Sequence, residues 1–79
     1  MKSSDRLLNL MELRVDKDCN GRVLVNFPDT YIADGGAYCG LFGRGETFEE
    51  ACDDYMEQIS GKTLVVHPGC ENRKEIWVI

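Results

Sequence analysis

The sequence predicts an α+β fold, a mostly antiparallel sheet with one amphipathic helix packed on one face, and three observations carry that prediction. Apolar and polar residues alternate on both sides of Asn20-Gly21, the pattern of an antiparallel hairpin. A single capped stretch, Thr47 to Ile59, has apolar residues at helical spacing. Two short β-prone runs, Lys62–Val66 and Arg73 or Lys74 to Ile79, follow that helix. The expected order is β-β-β-α-β-β.

The hairpin comes first. Met11, Leu13 and Val15 alternate with Glu12, Arg14 and Asp16, and Val23, Val25 and Phe27 alternate with Arg22, Leu24 and Asn26. Between them Asn20-Gly21 supplies two residues that tolerate positive φ. Pro28-Asp29-Thr30 ends the second strand, because proline cannot donate to a ladder. Tyr31 to Gly36 reads as a loop that bends at Asp34-Gly35-Gly36. Ala37–Phe42 reads as a third strand interrupted by Gly40, and Gly43-Arg44-Gly45 reads as a turn.

In the helix, Thr47 and Glu50 have capping-box spacing, with the Thr47 hydroxyl accepting from the Glu50 N–H and the carboxylate returning to the Thr47 N–H. Phe48, Ala51, Cys52, Tyr55, Met56 and Ile59 form the buried stripe, and Gly61 suits a left-handed cap. Ahead of the hairpin, residues 1–9 read as a short helix capped by Ser3 or Ser4, or as a loosely docked arm.

Composition narrows the function. Seventy-nine residues make a single domain with a thin core. No apolar run approaches the roughly 20 residues of a membrane span, and the first residues are too polar for a signal peptide. These features point to a soluble, cytoplasmic protein, in which Cys19, Cys39, Cys52 and Cys70 are reduced thiols. A net charge of −5, from 14 acidic and 9 basic residues, disfavours direct nucleic-acid binding, which draws on clustered Lys and Arg. It favours a basic protein partner, such as a toxin or nuclease.

The run Val15-Asp16-Lys17-Asp18-Cys19-Asn20-Gly21-Arg22-Val23-Leu24-Val25-Asn26-Phe27-Pro28-Asp29 resembles the opening of the HicB antitoxin family. Gly45-Glu46-Thr47-Phe48-Glu49-Glu50-Ala51 is similar to that family's Gly-Asp-Thr-x-Glu-Glu-Ala helix start. The resemblance implies a HicB-like core over residues 10–66, with residues 73–79 as a terminal strand. The family usually continues into a helix-turn-helix or ribbon-helix-helix that binds operator DNA. Here two β-prone runs follow instead, and Thr30-Tyr31-Ile32 replaces the Leu-Pro-Gly that commonly follows Pro-Asp. The run Ser60–Val66 looks like the tail of short phage and prophage proteins built on the same core. The resemblance therefore implies binding and blocking another protein, with operator binding in question.

Few residue clusters suggest chemistry. His67-Pro68-Gly69-Cys70 offers two metal ligands where zinc takes four, and reads as a turn. Gly43-Arg44-Gly45 precedes a helix start but lacks P-loop spacing, and Glu46, Glu49 and Glu50 would repel a phosphate. Ser60-Gly61-Lys62-Thr63 follows a helix and precedes a strand, the reverse of the P-loop order. No catalytic set, metal site or cofactor is expected. The candidate partner-binding residues are Glu49, Glu50, Asp53, Asp54 and Glu57, on a helix face with no basic residue from Glu46 to Ile59. Carboxylates stacked without lysine partners repel by a few tenths of a kcal/mol per pair, so a cationic partner would give them a use. Tyr31, Tyr38 and Trp77 are further interface candidates that read first as core or sheet-face packing, and the last strand reads as a sheet edge that invites homodimerisation. The expected function is a non-catalytic protein-binding inhibitor, antitoxin-like or phage-borne. The alternative is a regulatory or structural dimer of a mobile element.

Overall fold

The computed structural model describes residues 2–34 and 37–78. The elements are α1 (Ser3–Leu10), β1 (Arg14–Lys17), β2 (Val23–Asn26), β3 (Thr30–Asp34), β4 (Ala37–Cys39), β5 (Gly43–Gly45), α2 (Phe48–Ile59), β6 (Thr63–Val66) and β7 (Lys74–Trp77). The fold is α+β, and every strand pairing is antiparallel. The strands divide into two sheets, a three-stranded one ordered β1-β2-β5 and a four-stranded one ordered β4-β3-β6-β7.

The hairpin β1–β2 forms around Asp18-Cys19-Asn20-Gly21-Arg22. Gly21 alone of the Asn-Gly pair takes positive φ, at 80°. The Asp18 N–H donates to the Arg22 carbonyl and the Gly21 N–H to the Asp18 carbonyl, each at 3.0 Å. The loop is thus the three-residue kind that ends on a left-handed glycine, and not a two-residue turn. The Asp18 carboxylate accepts from the Arg22 and Asn20 N–H groups, and the first of these contributes most to holding its pKa below the usual value.

Two segments expected to lack regular structure are strands. Tyr31 to Asp34 falls within the expected loop; here Thr30–Ile32 pairs with β6, with Ile32 opposite Leu64, and Ile32–Asp34 pairs with β4. Gly35 and Gly36, the expected bend, lie outside the described residues. Gly43-Arg44-Gly45 was expected as a turn and instead pairs with β2, Gly43 opposite Val25 and Gly45 opposite Val23. Glycine serves here because α2 lies directly on the strand. A Cβ on Gly43 would overlap the Ala51 carbonyl and the Tyr55 Cβ, and one on Gly45 would overlap Glu50 and the Ala51 N–H. The third expected strand shortens to Ala37–Cys39, leaving residues 40–42 as the crossover to the other sheet.

The first residues form a helix. Ser3 and Ser4 lie inside it, the N-cap is Lys2 without a side-chain cap, and the Ser4 hydroxyl donates instead to the Glu49 carboxylate at 2.8 Å. The chain leaves α1 through Leu10, Met11 and Leu13, which pack against the core, so β1 begins at Arg14 rather than Met11.

The stripe on α2 is buried from Ala51 to Ile59, with Phe48 packed at its margin. It joins Leu7 of α1, Val25, Phe27, Ile32, Leu64 and Val78 in one cluster fed by both sheets and both helices. Burying a Leu, Ile or Phe side chain stabilises by about 1.5–3 kcal/mol, so this shared cluster holds the sheets together. At its centre the Phe27 and Tyr55 rings meet edge to face at 5.6 Å, and the Phe27 N–H donates to the Tyr55 hydroxyl at 3.2 Å. The helix ends in a turn in which Ser60 is extended and Gly61 has φ 75°, the dihedrals of a type II turn, closed by Lys62 N–H to Ile59 carbonyl at 3.1 Å.

Candidate functional site

Thr47 caps α2 as expected, its hydroxyl accepting from the Glu50 N–H at 3.2 Å. The Glu50 carboxylate does not return to Thr47; it accepts the N–H of Glu46 at 3.1 Å. That small displacement is the first rung of a ladder. One turn on, Asp54 accepts the Arg44 N–H at 2.9 Å, and the next turn brings Gln58, whose amide donates to the Phe42 carbonyl at 2.8 Å. Gln58 also donates to Asp54 at 3.0 Å.

Phe42, Arg44 and Glu46 lie along the edge of β5 that faces away from β2. Glu50, Asp54 and Gln58 therefore occupy backbone groups that a further strand would otherwise take. The five candidate carboxylates are thereby sorted by role. Glu49 is half-buried and bonded to Ser4, while Glu50 and Asp54 seal the strand edge. Asp53 and Glu57 are exposed. All five were expected as partner-binding residues, with Glu50 also closing the capping box; in the structure, three of them hold neighbouring elements in place. Only the spacing of Glu50, Asp54 and Gln58 at i, i+4, i+8 could have signalled this, and it becomes meaningful once 43–45 is known to be a strand.

Beside the ladder runs an open groove of about 590 Å³, bordered by Arg22, Phe42, Arg44, Glu46, Glu50 and Asp54. Arg22 approaches Glu46 at 3.6 Å and Arg44 approaches Asp18 at 4.0 Å, loose exposed pairs of little energetic weight. The helix has no basic residue of its own, yet the sheet delivers two arginines to its Glu50–Asp54 flank. Asp53 and Glu57 do not border that groove; they form an exposed acidic ridge elsewhere on α2. Phe42, 57% exposed on the crossover, is a surface residue that the sequence placed in a strand.

The remaining candidates are dispersed. Cys19, Cys39 and Cys70 are exposed and free. Cys52 is buried beneath the acidic face, and burial, with the charges of Glu49 and Asp53 adding to it, pushes its pKa up to about 11. His67-Pro68-Gly69-Cys70 is a turn between β6 and β7, with the Cys70 N–H donating to the His67 carbonyl at 3.1 Å. The His67 ring meets the Asp29 carboxylate at 2.6 Å, and the His67 N–H donates to the Asp29 carbonyl at 2.9 Å. Both residues have φ 53°, so this pair fastens two left-handed corners. Among the described residues, no three His, Cys, Asp or Glu side chains gather as a metal site would require.

The outer face of the four-stranded sheet differs in character. Register places Tyr38 beside Ala33, and Tyr31 beside Val65 and Glu75, with Trp77 beside Thr63. Tyr38 and Trp77 are 53% and 61% exposed. The Tyr38 phenol, and after it the Glu75 carboxylate, hold the Arg73 guanidinium above its ordinary pKa. Tyr38 and Arg73 thus approach each other across the outer face, over strands β3 and β6.

No helix among the described residues is long and apolar enough to cross a membrane. The chain matches no family model, no curated protein and no solved structure.

Proposed function

We propose that this chain is a small non-catalytic inhibitor with a HicB-like core. In this reading it is antitoxin-like or phage-borne, and it binds a basic, nucleic-acid-processing protein in the cytoplasm of a bacterial host or infected cell. The observation that carries the reading is the exposed Asp53–Glu57 ridge, one turn apart on α2, on a helix without a basic residue. Asp53 and Glu57 lie beyond the first turn, so the helix dipole does not stabilise them, and they carry none of the strand-sealing bonds made by Glu50 and Asp54. Lysine or arginine side chains of a partner would offset their repulsion and steer association.

The test has two steps. The partner is recovered from the native host on the immobilised chain and identified by mass spectrometry, and its affinity is then measured against salt. Replacing Asp53 by Asn and Glu57 by Gln should weaken binding about tenfold, by removing two rim charges, and flatten its salt dependence. Unchanged affinity and salt slope would sink the reading. A second reading, a regulatory or structural dimer of a mobile element, is favoured by the open edge of β7.

A further inference from the structure

We propose that two copies of this chain associate through β7, pairing antiparallel about a two-fold axis beside Ile76 so that their four-stranded sheets become one. This proposal does not depend on the inhibitor reading, since it uses a different surface.

The edge is open and its free groups can be assigned. β7 ends the order β4-β3-β6-β7 and pairs on one side only, with β6. The Val78 N–H donates to the Lys62 carbonyl at 3.0 Å, and the Val78 carbonyl accepts from Gly61 at 2.8 Å. Backbone groups alternate sides along an antiparallel strand. Lys74, Ile76 and Val78 therefore bond toward β6, and Glu75 and Trp77 point their N–H and C=O groups outward. On the other sheet, the comparable outward groups at Arg44 and Phe42 are already taken by Asp54 and Gln58.

A second copy fits these groups in one register. With Ile76 opposite Ile76 of the second copy, each Glu75 lies opposite a Trp77. Both are outward-bonding residues, and each such pair exchanges two N–H···O bonds. Lys74 then faces Val78. The two Trp77 rings become diagonal neighbours on the outer face, within reach of aromatic contact. A shift one residue toward the N-terminus sets Glu75 against Glu75, and a shift of two sets Lys74 against Lys74. A shift one residue toward the C-terminus sets Trp77 against Trp77 and carries Glu75 past Val78, beyond the described residues. Trp77, at 61% exposure, supplies the large aromatic surface that interfaces favour. Of the other edges, β1 is charged at three of its four residues against two of four in β7 and carries no aromatic, and β4 spans only Ala37–Cys39.

Sedimentation equilibrium of the full chain, from micromolar to near-millimolar concentration, tests the proposal. The expected result is a monomer–dimer equilibrium. Glu75→Pro should weaken it at least tenfold, by removing two ladder donors per dimer, while leaving the monomer folded because that N–H faces solvent. Trp77→Lys should weaken it as well. Val15→Pro, the matching change on the β1 edge, should leave it unaltered. Hydrogen exchange gives a second reading: the Glu75 and Trp77 amides should gain protection as concentration rises. A monomer throughout the range would overturn the proposal. So would a dimer lost on Val15→Pro and kept on Glu75→Pro, or exchange at Glu75 and Trp77 that ignores concentration.

Discussion

The two sheets share one core and solve the same problem in opposite ways. The three-stranded sheet closes β5 from within: α2 lies against Gly43 and Gly45, and its polar side chains bond the strand's outer backbone groups. Its outer face carries Arg14, Asp16, Arg22, Asn26 and Arg44 around a half-buried Leu24, a mostly polar surface. The four-stranded sheet presents Tyr31, Tyr38 and Trp77 outward and leaves the backbone of β7 unpaired. The contrast teaches that an acidic stripe on a helix can serve as a strand surrogate. Counting its charges alone overstates the surface left for a partner.

Substitutions can break this contrast, beginning with the close approach of helix and strand. Gly43→Ala should destabilise by about 3 kcal/mol, since its Cβ would meet helix backbone that cannot yield, and thermal unfolding reads the loss. At the junction of the two sheets, Tyr55→Phe strands the buried Phe27 N–H and should cost about 2 kcal/mol in chemical denaturation.

Cys52 probes the same packing by pH. Its folded pKa of about 11 lies above a thiol's ordinary 9.0, so the folded state holds the proton more tightly. The associated stability is fully present below pH 9 and is lost as pH rises toward 11, by about 3 kcal/mol in all. Denaturation across that window should show a slope that Cys52→Ala flattens. At pH 8, Cys19, Cys39 and Cys70 should react with a thiol reagent while Cys52 waits for unfolding.

The sealed edge gives a sharper comparison. Asp54→Ala with Gln58→Ala should cost about 1–2 kcal/mol and leave β5 as open as β7. Light scattering should then detect new self-association that Glu75→Pro does not remove. The smallest effect belongs to the exposed ridge, where Asp53→Asn with Glu57→Gln should shift stability by no more than about 0.5 kcal/mol. A larger loss would place these two carboxylates among the groups that hold the fold.

The sequence marked the local devices well. The hairpin around Asn20-Gly21, the stripe from Phe48 to Ile59 and the Thr47 cap all depend on near neighbours, and all three are present, although β1 is exposed throughout where the alternation of Val15 with its neighbours predicts one buried face. Its failures arise where a distant element decides. Tyr31-Ile32-Ala33 reads as a loop because the breakers around it are strong, and only pairing with β4 and β6 makes it a strand. Gly43-Arg44-Gly45 looked like a turn because glycine there signals flexibility; what it provides is room for a helix. Of the candidate site, the exposure of Asp53 and Glu57 was legible from helical phase. The structural work of Glu49, Glu50 and Asp54 was not, because their partners lie on other elements.

The ladder of Glu50, Asp54 and Gln58 also makes the helix a ruler. Four helical residues advance about 6.0 Å and two strand residues about 6.7 Å, so the two spacings are nearly commensurate. Antiparallel to the strand, residues 50, 54 and 58 meet 46, 44 and 42 in turn. The mismatch of about 0.7 Å per step accumulates, and a fourth rung would stand about 2 Å out of place, beyond hydrogen-bond tolerance. Three rungs are therefore the natural length of such a seal. Adding or deleting one residue between 42 and 46, or between 50 and 58, throws the graduations out of phase. Those two short windows should tolerate exchange of side chains far better than any change of length.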